Sequence, residues 1–127
     1  MARKFQDLEI FRLSYQLAIK LYKTTEKFPE HELNNLTSQI RRASISIPLN
    51  IAEGCSRYTK KEFLQFLKYS YGSVKELQVI LMLCRDFKYI NSEEYLDLYE
   101  ELDKLGSKLF VFMRKVNKED WKEWFKK

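Results

Sequence analysis

From Tyr95 to Val116 the apolar residues fall at steps of three and four without a slip: Tyr95, Leu98, Leu102, Leu105, Leu109, Phe112 and Val116. Only an α-helix brings residues at those steps onto one face, and so long a stripe needs neighbours along its whole length. The spacing predicts coiled-coil-like packing inside a helical bundle. Asn91 or Ser92 is placed to cap this helix, with Glu93 and Glu94 near its positive end. The 127 residues include three Gly and two Pro. That is too few turn residues for a β-sandwich, and it favours long helices with few connections.

Three further helices follow from the same rule. The first runs from about Leu8 to Lys27 with Asp7 as its cap, and Phe28-Pro29 ends it, because the residue before a proline leaves the α region. It carries two seams, Leu8, Phe11, Tyr15, Ala18 and Tyr22 beside Ile10, Leu13, Leu17 and Leu21, as suits a helix touching two neighbours. The second runs from about Leu36 to Cys55, with Gly54 as a stop. The third, about Lys60 to Phe87, opens on a Thr59–Glu62 capping box. Its core stripe is Phe63, Phe66, Leu67, Ser70, Val74, Leu77, Leu81 and Cys84. The expected fold is all-α, an antiparallel up-down-up-down four-helix bundle forming one domain over residues 1–127.

The second helix holds the most informative stretch, QIRRASISIPLNIAEG from Gln39 to Gly54. Leu36, Ile40, Ala43, Ile47, Ile51 and Gly54 share a core face, while Gln39, Arg42, Ser46, Asn50 and Glu53 share a polar face beside it. Short hydrogen-bonding groups there suit a polar network between packed helices or a second interface; the alternative is a solvated flank. Pro48 removes the bond to the Ser44 carbonyl, so one helix kinked at Pro48 is expected over two separate ones.

Two features of the third helix point outward. Lys61, Gln65, Lys68, Gly72 and Lys75 share a face, a basic ridge notched at Gly72. Val79 to Cys84 is apolar on every side, which suggests contact with another subunit or else an exposed apolar side. Charge is concentrated nearby. Between Asn35 and Lys75 seven cations stand against Glu53 and Glu62, an excess equal to the whole chain's net charge of +5. A local excess suits a polyanion partner. Past Asn117, Trp121, Trp124 and Phe125 would share one face of a short helix in a 117–127 extension, either closing the bundle or hooking a partner.

Catalytic sets are missing. There is no glycine-rich phosphate loop and no nucleophile elbow. The one histidine, His31, lies in a predicted loop and is assigned no chemistry, and the two cysteines, Cys55 and Cys84, fit a reduced cytoplasmic protein. No metal site, cofactor or small-molecule substrate is indicated. No run reaches a membrane span, and the N-terminus does not read as a signal peptide. Glu53 and Glu76 could both face the interior, but a di-iron bundle needs Glu-x-x-His spacings that are absent. Arg42, Ser46, Asn50, Ser73 and Glu76 read better as structural polar partners, with a buried Arg–Glu pair fixing register.

The stretches FPEHELNNLTSQIRRASISIPLNIAEG and YTKKEFLQFLKYSYGSVKELQ closely resemble the four-helix-bundle proteins of the 23S rRNA intervening-sequence type, and the likeness runs from about Phe5 to Val116. Matching positions are Gln39, Arg41, Arg42, Ser46, Asn50, Glu53, Gly54, Gly72, Ser73 and Glu76. More distantly the chain is similar to accessory proteins of diversity-generating retroelements. The resemblance implies a homo-oligomer, with a pentamer favoured, and RNA (rRNA) or a reverse transcriptase as partner. The function expected is a non-catalytic oligomeric module that binds RNA or a nucleoprotein through Arg41, Arg57, Lys60, Lys61, Lys68 and Lys75. The alternative is a protein-interaction scaffold in which Gly72 and Val79–Cys84 make the contact.

Overall fold

The chain forms four α-helices in a computed structural model that describes residues 4–118: α1 (Glu9–Thr25), α2 (Leu36–Cys55), α3 (Lys60–Asp86) and α4 (Ser92–Lys118). Short 3-10 turns at Phe5–Asp7 and Glu30–Glu32 precede α1 and α2. Trp121, Trp124 and Phe125 lie outside the described residues.

Contacts between helices fix their directions. Glu9 of α1 pairs with Lys108 of α4, Lys20 with Glu101 and Lys27 with Glu94. Numbers rise along one helix as they fall along the other, so α1 and α4 run in opposite directions. The same holds for α2 and α3, where Ser46 meets Ser73 and Gly54 meets Phe63. It holds again for α3 and α4, where Lys60 reaches Asn117 and Arg85 stacks on Tyr95. Leu21, Ile40, Leu67, Leu77, Leu102 and Leu109 are completely buried along the shared axis.

The helix ends show which local signals act. Glu94 N–H donates to Asn91 Oδ1 at 2.8 Å and Asn91 N–H to Glu94 Oε1 at 3.2 Å, a reciprocal cap that selects Asn91 over Ser92. Thr59 Oγ1 accepts from Glu62 N–H at 3.1 Å. Asp7 does not cap α1. It lies in the 3-10 turn, and Leu8 precedes the helix with no side-chain cap. α1 stops at Thr25, short of Lys27, where Phe28 turns in to pack on Tyr89 with ring centroids 5.4 Å apart.

Pro48 sits inside one unbroken α2 and is itself buried. The core stripe Leu36, Ile40, Ala43, Ile47, Ile51 and Gly54 is buried throughout. Gly54 is not a left-handed stop, since no glycine among the described residues has positive φ. It is small because α3 comes close: a Cβ there would stand 2.9 Å from Phe63 Cδ1 and 3.1 Å from Phe66 Cβ. The left-handed residue is Lys88, φ 65°, after α3. Lys88 N–H bonds to Arg85 O at 3.0 Å and Tyr89 N–H to Cys84 O at 2.9 Å, which closes the last carbonyls of α3.

One expected seam of α1 is covered only in part, with Leu8 buried and Phe11 and Ala18 half-buried. Ile10, Leu17 and Leu21 are buried, whereas Tyr15 and Tyr22 of the other seam are exposed. They face an apolar groove shared with Ile45, Pro48 and Leu49 of α2, about 590 Å³ in volume.

Candidate nucleic-acid interface

Three residues form the polar network between α2 and α3. Ser46 Oγ and Ser73 Oγ lie 3.0 Å apart, and Asn50 Nδ2 donates to Ser46 O at 2.8 Å and Ser46 Oγ at 2.9 Å. Ser70, buried beside them, donates to Ile47 O at 2.8 Å. The rest of the stripe turns outward. Gln39, Arg42 and Glu53 are exposed. Glu76 is exposed too, so Glu53 and Glu76 do not meet in the interior, and Arg42 and Glu76 form no buried ion pair. The helix turn explains this: α3 packs against the Ser46 side of α2 closely enough for serine and asparagine, and longer charged chains are left at the edges.

The cations divide into two groups. Three are engaged in holding elements together. Arg41 Nε donates to Thr25 Oγ1 at 2.9 Å and its guanidinium stacks 4.8 Å from the Tyr22 ring, so it faces α1. Arg57 pairs with Glu53 at 2.5 Å and stacks on Phe66. Lys60 donates to the Asn117 carbonyl at 3.0 Å, tying α3 to the end of α4.

Lys61, Lys68 and Lys75 form the other group. All three are exposed on α3 and none joins an ion pair among the described residues. They repeat every seven residues, about 10.5 Å along the helix. Lys75 lies 5.3 Å from the Tyr71 ring. Gly72 sits between Lys68 and Lys75, and a Cβ there would meet nothing within 4 Å, so the notch opens to solvent. Tyr69 is half-exposed beside Lys68 and rests edge-on against Phe66. Every ion pair between elements among the described residues joins α1, or Lys27 just after it, to α4. Lys20, Lys27 and Lys108 are neutralised against α4 or α1, whereas the three α3 lysines, like exposed Lys23, Arg42, Lys104 and Arg114 elsewhere, have no acidic partner among the described residues.

Beyond Lys75 the same face of α3 turns apolar. In the run Val79 to Cys84, Ile80, Leu81 and Cys84 are buried, while Val79, Met82 and Leu83 are exposed.

A titratable cluster that sequence reasoning missed joins the loops at the C-terminal end of α3. Glu32 is buried and accepts from Tyr89 Oη at 2.6 Å and Asn35 Nδ2 at 2.9 Å. The Tyr89 hydroxyl holds the Glu32 carboxyl below its ordinary range, and Glu32 in turn pushes Tyr89 up. Burial, with the Glu32 charge second, raises the Cys84 thiol to about 11, so it stays protonated. His31 Nε2 lies 3.4 Å from Tyr89 Oη. The available signal was a glutamate among loop residues next to a buried Phe28, which resembles any solvated loop acid.

Among the described residues no helix is long and apolar enough to cross a membrane, and no His/Cys/Asp/Glu group would hold a metal ion. The geometry defines an all-helical bundle with a small inter-helix polar network and an uncompensated cationic edge. The family described as 23S rRNA-intervening sequence protein matches residues 6–110, and the chain belongs to that family. A solved structure from Bacteroides thetaiotaomicron, a protein with unknown function from the S23 ribosomal protein family, shares the fold. Its TM-score is 0.74 at 21% identity, over 82% of this chain and 97% of that one. No curated protein matches the chain.

Proposed function

We propose that this protein is a non-catalytic, self-associating cytoplasmic subunit that binds RNA phosphates through the outer face of α3. The observation that carries this is the line of Lys61, Lys68 and Lys75, exposed on one face of α3 at heptad spacing and without acidic partners among the described residues. Lysines on one helix face meet a phosphate backbone as point charges and read no sequence. The family's name, which refers to an rRNA insert, supports RNA over other polyanions. A filter-binding series with an rRNA-derived stem-loop across salt tests it. Log affinity should fall by about 0.7 to 0.9 per phosphate contact for each log unit of salt. No binding at low salt, or a flat response, contradicts the proposal.

A second reading is a protein scaffold, such as an accessory subunit of a reverse transcriptase. The open notch at Gly72, followed by exposed Val79, Met82 and Leu83, favours it. Gly72→Trp separates the two: it should abolish partner or subunit binding under the scaffold reading and leave the salt slope of RNA binding unchanged under the first.

A further inference from the structure

Most exposed aromatic rings among the described residues have a contact that accounts for them. Tyr15 packs on Phe11, Tyr22 lies under Arg41, Phe87 packs on Tyr89, and Phe110 lies under Arg114. Two stand instead beside the α3 lysines. Tyr58, 87% exposed, lies at the α2–α3 turn, three residues ahead of Lys61, and Tyr69, 50% exposed, follows Lys68. Aromatics interleaved with cations hold nucleic acid as an open strand, because cations track the phosphates and rings take the faces of bases.

The Tyr69 ring is held in place. It stands at 89° to the Phe66 ring, with centroids 5.6 Å apart. Phe66 is braced in turn by Arg57, 4.6 Å from its ring centre, and by the close approach of Gly54. A ring fixed before binding loses little freedom when a base stacks on it. Beside Tyr69 the helix surface is bare. Helical side chains lean toward the N-terminus, so a side chain at position 72 would cover the turn that carries Lys68 and Tyr69. Gly72 leaves that turn uncovered, and a Cβ there would meet nothing within 4 Å. Glycine inside a helix is destabilising relative to alanine. Gly54 and Gly106 are explained by close packing on Phe63 and Val74, but no such packing among the described residues explains Gly72.

Charge decides how a strand can lie on this face. Two lines run side by side along α3, each repeating every seven residues: Lys61, Lys68 and Lys75, and beside them Glu62, Tyr69 and Glu76. The lysine line is on the α4 side, since Lys75 lies over Tyr71 and Tyr71 packs on Phe110. The tyrosine line is on the α2 side, next to Phe66 and Gly54. Glu62 accepts from the Thr59 hydroxyl at 2.9 Å, and Glu76 is exposed. These carboxylates repel phosphate from the α2 side. A bound backbone therefore follows the lysines, and its bases point across the notch toward Tyr69. In a paired A-form helix the faces of the bases are stacked inside, so a ring on this ridge takes a base only from an unpaired stretch.

We infer that the outer face of α3 holds an unpaired segment of RNA, with its phosphates on Lys61, Lys68 and Lys75 and a base stacked on Tyr69 over the Gly72 notch. This rests on the RNA reading above and names the form of RNA that the site takes. Fluorescence anisotropy with the full chain tests it, using three probes of equal strand length: oligouridylate, an abasic strand with the same phosphates and no bases, and an RNA duplex. Oligouridylate should bind about fivefold to a hundredfold more tightly than the abasic strand, with the same salt slope. Tyr69→Ala should remove most of that preference while keeping the salt slope and the duplex affinity. Tyr69→Phe should retain the preference, which separates stacking from a role of the hydroxyl. Gly72→Leu fills the notch and should lower oligouridylate affinity without changing abasic affinity. Equal affinity for oligouridylate and the abasic strand overturns the inference. So does a Tyr69→Ala variant that keeps the preference, or one that weakens duplex and single strand alike. If Tyr58→Ala removes the preference and Tyr69→Ala does not, the base sits at the α2–α3 turn and the notch assignment falls. The phosphate reading is scored separately: salt-dependent binding of both single strands without preference defeats only the stacking, whereas no binding of any probe at low salt defeats both.

Discussion

Lys88 stands in the left-handed region with φ 65°, where a β-carbon crowds its own backbone. Lys88→Gly should therefore stabilise the chain by about 0.5 to 1 kcal/mol, less than the full strain because glycine also loosens the unfolded chain. Urea denaturation measures it, and destabilisation would contradict the role assigned to this turn. Glu32 gives a pH signature. Its folded pKa is lowered, first by the Tyr89 hydroxyl. Its contribution is thus present above the ordinary carboxylate pKa and is lost as pH falls through the lower folded value. Glu32→Gln should narrow the gap in urea midpoint between pH 7 and acid pH, and an unchanged gap would remove Glu32 from the acid response. Neither residue was legible in the sequence. A lysine carries no turn signal, and a loop glutamate becomes special only when a tyrosine more than fifty residues away closes over it.

At the scale of elements, the stripes were readable because each helix obeys its own periodicity. The α2 core face and the α4 stripe from Tyr95 to Val116 are legible residue by residue; only Tyr95 and Phe112 of that stripe are half-buried. What could not be read was which side of a polar or aromatic stripe a neighbour would cover. Ser46, Asn50 and Ser73 are covered, but Arg42, Glu53 and Glu76 are not. Two glycines make this concrete. Gly54→Ala should cost about 1 to 3 kcal/mol, because its Cβ would press into Phe63 and the Phe66 Cβ. Gly72→Ala meets open space and should gain about 1 kcal/mol in helix propensity. Thermal unfolding of the two variants should move in opposite directions; a loss for Gly72→Ala would mean that something else occupies the notch.

The whole molecule distributes charge unevenly. Ion pairs bind α1 to α4, Arg41 and Lys60 tie elements together, and three lysines at heptad spacing remain free on α3. Sequence counting found the local excess and grouped Arg41, Arg57 and Lys60 with the α3 lysines as one RNA-binding surface; it could not see that these three also engage Thr25, Glu53 and the Asn117 carbonyl. The most direct measurement compares RNA affinity across salt for the natural protein and for Lys61→Ala/Lys68→Ala/Lys75→Ala. The variant should bind more weakly with its salt slope reduced by about 2 to 3, one phosphate contact per lysine. An unchanged slope would place any RNA contact elsewhere and contradict the account.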